Sequence, residues 1–102
     1  MNKIRIVEVR KPDGTMDGID IMGFHHVGRY KIVLNYTDLF FAGHVTLSPW
    51  QAFVTVENGR VVLSDGARFE VPKKVLKEVQ KLAERMMDKV ESMKEENLSV
   101  SG

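Results

Sequence analysis

At Pro72 the hydrophobic period of this chain changes. Before it, apolar residues recur at every second position in short runs broken by Gly, Pro, Asn and Asp; after it they recur at helical spacing through Val75, Val79, Leu82, Met86, Val90 and Met93. A single switch of period from 2 to 3.6 implies strands first and a helix last. The fold class expected is α+β: an antiparallel sheet of about four to six strands, followed by one long C-terminal amphipathic helix packed on one face. With 102 residues there is room for one modest core, so residues 1–96 form one sheet-plus-helix domain and the polar residues 97–102 are expected to fray.

Within the strand region the punctuation is specific. KIRIVEVR (3–10) is β-branched, with a slip of alternation at Ile6 and Val7 that suggests a bulge. KPDGTMDG (11–18) is a turn built on Pro12, Gly14 and Gly18, and GIDIMGFHH is a short returning strand. RYKIVLNY (29–36) sets Tyr30, Ile32, Leu34 and Tyr36 on one face, built for burial or for stacking, and Arg29, Lys31, Val33 and Asn35 on the other. FFAGHVTL (40–47) is the next strand, with Gly43 marking a bend or a close backbone approach.

SPWQ (48–51) has Ser as N-cap, Pro at a first helical position and Gln at the capping-box site, which suggests one helical turn. Asn58-Gly59 between alternating runs is a type I′ hairpin signal that places Val56 opposite Val61 and Val54 opposite Leu63. A three-residue loop at SDG (64–66), with Gly66 left-handed, would continue the same apolar face through Ala67, Phe69 and Val71. Phe53, Thr55, Glu57, Arg60, Val62, Arg68 and Glu70 are then outward.

The apolar positions of the helix cover an arc of about 140° at 100° per residue, wider than one strip of contact requires. The excess points to a second partner for that face, a copy of the same chain, with Val79, Leu82, Met86, Val90 and Met93 as the oligomerisation residues. Lys74, Lys81, Arg85 and Lys89 make a basic stripe that Glu78 interrupts.

Composition removes several classes of function. There is no cysteine, hence no disulfide, thiolate metal site or cysteine nucleophile. No stretch of apolar residues has membrane-spanning length and the N-terminus lacks a signal-peptide pattern, so a cytoplasmic protein without a membrane partner is expected. The formal net charge of +1 provides no general attraction to polyanions, so nucleic-acid binding would have to use a local patch.

Chemistry-bearing motifs are sparse. No nucleophile elbow, phosphate loop or H-E-x-x-H pattern is present. Adjacent strand residues diverge, so only one of His25 and His26 could join His44 and Asp38 at a metal; a metal-dependent enzyme is the weaker reading, and neither a metal nor a cofactor is assigned. The stronger reading is a non-enzymatic, sequence-tolerant binder of single-stranded DNA or RNA. Stacking would come from Tyr30, Tyr36, Trp50 and Phe53, and phosphate contacts from Arg29, Lys31, Arg60 and Arg68. The competing reading is a homo-oligomeric assembly module built on the C-terminal helix, with the aromatics in the core.

The order of elements, with RYKIVLNY and FVTVENGRVVLSDGARFEV in a sheet and VPKKVLKEVQKLAERMMDKVESM as the helix, resembles the ThermoDBP-related proteins of thermophilic archaea. That resemblance implies a small sheet-and-helix domain that holds single-stranded DNA, or RNA, in a cleft lined by aromatic and apolar side chains, and that forms oligomers. Larger members carry a C-terminal leucine zipper; this chain ends in a shorter, Met-rich helix instead.

Overall fold

The computed structural model describes residues 4–9 and 18–101, with the side chains of 96–101 left out. Six strands precede one helix: β1 Arg5–Glu8, β2 Asp20–Val27, β3 Tyr30–Thr37, β4 Phe41–Leu47, β5 Trp50–Glu57, β6 Arg60–Leu63 and α1 Lys73–Ser101. Each strand pairs antiparallel with the next in chain order, giving a six-stranded meander. The helix continues past residue 96 to Ser101. Among the described residues no helix is long and apolar enough to cross a membrane.

Local chemistry explains the turns. Asn58 and Gly59 take φ of 53° and 80°, the left-handed pair that a type I′ turn requires, and Glu57 pairs with Arg60 across it. Val56 opposite Val61 and Val54 opposite Leu63 follow from that register as expected. The expected helical turn at SPWQ is not formed. The β4–β5 ladder continues to Leu47 opposite Trp50, which leaves only Ser48 and Pro49, joined by a cis peptide bond, to make the connection. Two residues are too few for a helical turn, and Trp50 is the first residue of β5.

Two further expectations are corrected. β1 carries no bulge, for its pairing with β2 is continuous from Arg5 opposite Phe24 to Glu8 opposite Ile21. The slip arises because Val7 lies on the face away from the helix beside Met22, where it is 41% exposed. Nor is there a strand after the SDG loop. Ser64 N–H bonds Phe53 O, and beyond it the chain leaves the ladder with Gly66 left-handed at φ 88°. Ala67, Phe69 and Val71 still turn inward, and Phe69 reaches the Tyr30 ring at 6.2 Å. Alternation reported their burial but not their hydrogen bonding. The turn expected at Pro12 and Gly14 lies outside the described residues.

The core is the contact between the sheet and α1. Ile21, Ile32, Leu34, Val45 and Val54 from the sheet meet Val75, Val79, Leu82 and Met86, all essentially without exposure. The helix lies against β2, β3 and β6. Glu78 bonds His25 on β2, while Gln80, two residues on, bonds Gly59 and Val61 at β6. In a flat sheet β2 and β6 would stand about 19 Å apart, nearly twice the width of a helix. The sheet is therefore curled around α1, and contacts from Glu78 round to Gln80 enclose about 200° of its circumference.

That curl answers the question of the wide apolar arc. Val79, Leu82, Met86 and Val90 are buried against the chain's own sheet, and Met93 is half-buried on the same core. The residues expected to make an oligomer are thus covered within one chain, because a curved sheet covers more of a helix than a flat one, while Met87 at the margin of the arc is exposed.

Two glycines permit the curl. A Cβ at Gly43 would collide with the backbone of β3 at Val33 O and Leu34 Cα, the close approach expected of that residue. A Cβ at Gly23 would meet Met86 Sδ at 2.6 Å and Leu82 Cδ1 at 2.8 Å, where the helix sits directly on β2. Side chains can shift more readily than backbone. Replacing Gly43 by Ala should therefore cost about 3 kcal/mol and Gly23 by Ala about 1–2 kcal/mol, read from urea unfolding midpoints; equal costs would contradict this assignment.

Candidate nucleic-acid interface

Because α1 covers only the concave face, the convex face of the sheet is not covered by any element among the described residues. Alternation fixes which residues it carries. Ile21, Gly23 and His25 of β2 point to the helix, so Asp20, Met22, Phe24 and His26 point outward. The same rule puts Lys31, Val33 and Asn35 of β3, Ala42, His44 and Thr46 of β4, and Gln51, Phe53 and Thr55 of β5 on the open face.

Register then aligns these side chains in rows. Arg5 stands opposite Phe24, Phe24 opposite Val33, Val33 opposite His44 and His44 opposite Phe53. The row crosses five strands, about 19 Å at ordinary strand spacing. Its ends are defined by contact: the Arg5 guanidinium lies 4.8 Å above the Phe24 ring, and His44 meets Phe53 edge to face at 6.4 Å. Phe53 is 59% exposed. A parallel row holds Val7, Met22, Asn35, Ala42, Thr55 and Val62, and another holds His26, Lys31, Thr46 and Gln51.

Charged groups of both signs lie around the rows. Asp20 accepts from Asn35 Nδ2 at 3.0 Å, and Glu57 stands opposite Arg60 in register. Among the described residues no carboxylate lies within ion-pair distance of Arg5 or Lys31.

The residues expected to bind nucleic acid are divided between two places. Lys31, Phe53 and Arg60 share the open face. Tyr30 and Tyr36 point toward the helix and are half-buried on the core, with Tyr36 edge-on to Phe41 at 5.2 Å. Trp50 and Arg68 lie together at the rim of the helix side, the guanidinium 5.5 Å above the indole. Arg29 is exposed in the tight turn between β2 and β3. Arg5 and Phe24 join the open face without having been expected there, and so does His44, considered above only as a metal ligand; for Phe24 the available signal was GIDIMGFHH, which carries apolar residues on both faces of one strand.

The histidines separate as strand geometry requires. His26 and His44 stand in different rows of the open face, and Asp38 is engaged elsewhere, accepting from Ile19 N–H at 3.0 Å. Among the described residues no group of three His, Asp or Glu side chains is placed to hold a metal ion. His25 is buried on the helix side of β2, with Nε2 3.0 Å from Glu78 Oε2. A carboxylate only accepts, so Nε2 carries the hydrogen; Nδ1 is buried and has no partner among the described residues. Lys81 Nζ lies 3.2 Å from Glu78 Oε1.

Hydrogen bonds from His25 and then Lys81 hold the Glu78 carboxyl below its ordinary value of 4.5. A lowered carboxylate pKa contributes stability that is complete above the unfolded value and lost as pH falls through the folded one. Glu78→Gln should therefore be less stable than the parent at neutral pH, with the gap closing as pH drops below about 4.5. Urea midpoints across pH 3 to 7 measure this; a gap that stays constant would show that the carboxylate charge is not what matters.

Comparison of the chain with protein-family models, with curated proteins and with solved structures returns no match.

Proposed function

We propose that this protein binds single-stranded nucleic acid, without strong sequence preference, on the open face of its curled sheet. The observation that supports the reading is the cross-strand row from Arg5 through Phe24, Val33 and His44 to Phe53. Phe53 is exposed and Phe24, Val33 and His44 are half-buried on a face that adds nothing to the core, and a row of this composition there suits a ligand. Base faces fit that surface: each base stacked on an aromatic ring contributes about 1–3 kcal/mol, whatever its identity.

Cations at the ends of the face suit the phosphates that connect such bases. Arg5 and Lys31 have no described acidic partner, and Arg60 lies at the far end of β6. A duplex keeps its base faces stacked inside and offers this surface little, so single strands should be preferred. Enzymatic chemistry has no comparable support on this face, where the histidines lie in separate rows.

The test is a titration of labelled oligothymidylate and oligouridylate across a salt series, with a duplex of the same length as control. We expect binding to single strands that weakens steeply as salt rises. Phe53→Ala and Phe24→Ala should each weaken it by roughly 5- to 100-fold, the equivalent of one stacked base, with little change in melting temperature for the exposed Phe53. Absence of binding at low salt, or equal affinity for the duplex, would overturn the proposal.

A further inference from the structure

β6 is an edge strand, and its outer edge faces a groove against the first turns of α1. The groove is a cavity of about 330 Å³ lined by Val61, Leu63, Leu76, Lys73, Lys77 and Gln80. Its floor is apolar and its helix-side rim is basic. Leu63 is 36% exposed although it lies on the concave, core-facing side of the sheet.

The pairing of β6 determines which backbone groups look into this groove. Glu57 opposite Arg60 closes the type I′ turn, and Ser64 N–H bonds Phe53 O, so the N–H and C=O groups of Arg60 and Val62 are directed at β5. Those of Val61 and Leu63 consequently point away from it. At Val61 the edge is occupied: its N–H donates to Gln80 Oε1 at 3.0 Å, and Gln80 Nε2 donates to Gly59 O at 2.8 Å. One side-chain amide thus supplies both a donor and an acceptor to the edge, as a peptide group of a neighbouring strand would. Two positions further on, among the described residues, nothing takes that place beside Leu63.

We propose that this groove is a binding site for an extended acidic peptide, which pairs with the edge of β6 at Leu63, beyond the position that Gln80 occupies. An apolar side chain of the peptide fills the space between Leu63 and Leu76, and carboxylates two residues to either side of it meet Lys73 and Lys77. Spacing of two follows from the strand period, since only alternate side chains of the added strand face the helix. Charge selects the partner. Lys73 and Lys77 are exposed, stand one helical turn apart, and have no carboxylate in ion-pair distance among the described residues. Glu84, a turn along the helix from Gln80, accepts from Gln80 Nε2 at 3.1 Å.

A second copy of the chain is the other candidate for a strand edge, and the same charges argue against it. A symmetric contact of β6 with β6 would bring the Lys73 and Lys77 pairs of both copies to one interface, like charge against like. The site is separate from the open face, on the opposite side of the sheet.

The probe is a fluorescein-labelled heptapeptide of sequence Ser-Glu-Ser-Val-Ser-Glu-Ser, compared with the version in which both Glu are Lys, and read by anisotropy alongside the sedimentation of the protein. The acidic peptide should bind and the basic one should not. Lys73→Glu with Lys77→Glu, two surface changes, should weaken binding about tenfold or more and leave oligonucleotide binding unchanged. Leu63→Pro removes an outward N–H and the leucine side chain that lines the groove, while the β5 bonds of Arg60, Val62 and Ser64 remain, so it should keep the sheet and abolish peptide binding. Should Leu63→Pro not fold, the lysine variant decides, and undiminished affinity there overturns the proposal. No binding at millimolar peptide overturns it as well, and so does a dimer that Leu63→Pro converts to monomer, which would assign the edge to a second copy.

Discussion

The grip of a curled sheet on a single helix is the constraint from which the rest of this structure follows. Glu78 and Gln80 are two residues apart, yet one reaches β2 and the other β6. That is possible only if the sheet bends, and bending demands that strands approach where a Cβ would collide, at Gly43, and that the helix sit low on β2, at Gly23. Hydrophobic burial drives the closure, since Val75, Val79, Leu82, Ala83 and Met86 have no exposure left. The polar pairs at either side of the helix set its rotation, because a buried or half-buried donor left without an acceptor would be costly.

A meander closed on one face in this way leaves the other face without a structural task. Most one-sided antiparallel sheets present alternating polar residues to water. Here Val7, Met22, Phe24, Val33, Phe53 and Val62 lie on the outer face, and the register gathers three of them, Phe24, Val33 and Phe53, into one row with Arg5 and His44. Strands β2 to β5 divide in the same way: one set of alternate residues holds the helix, and the other faces away from it. The β6 edge is a third surface, defined by backbone groups rather than by side chains.

Much of the fold was legible in the sequence, for local reasons. The change of period at Pro72 separates sheet from helix, and Asn58-Gly59 fixes a hairpin whose register needs no tertiary information. What was not legible depends on curvature. The wide apolar arc of the helix was visible, but a second copy and a curled sheet produce the same pattern on a helical wheel. Tyr30 and Tyr36 could not be oriented from RYKIVLNY, because Val33 on the opposite face is also apolar and the pattern has no wholly polar side. The helical turn expected at SPWQ does not form, although its capping chemistry is genuine locally, because the β4–β5 ladder takes precedence. His25 gave no signal of its own, for its partner Glu78 lies 53 residues away.

The central claim is that the two faces of one sheet are assigned to different tasks, and chemical-shift mapping tests it most directly. Backbone amide spectra of the labelled protein would be recorded while unlabelled oligothymidylate is added. We expect shifts concentrated at Phe24, Val33, His44, Phe53 and their row neighbours, with Val79, Leu82 and the groove at Leu63 unmoved. Shifts that instead gather at Trp50, Arg68 and Tyr30, on the helix side of the sheet, would contradict the assignment and move the ligand to the other face.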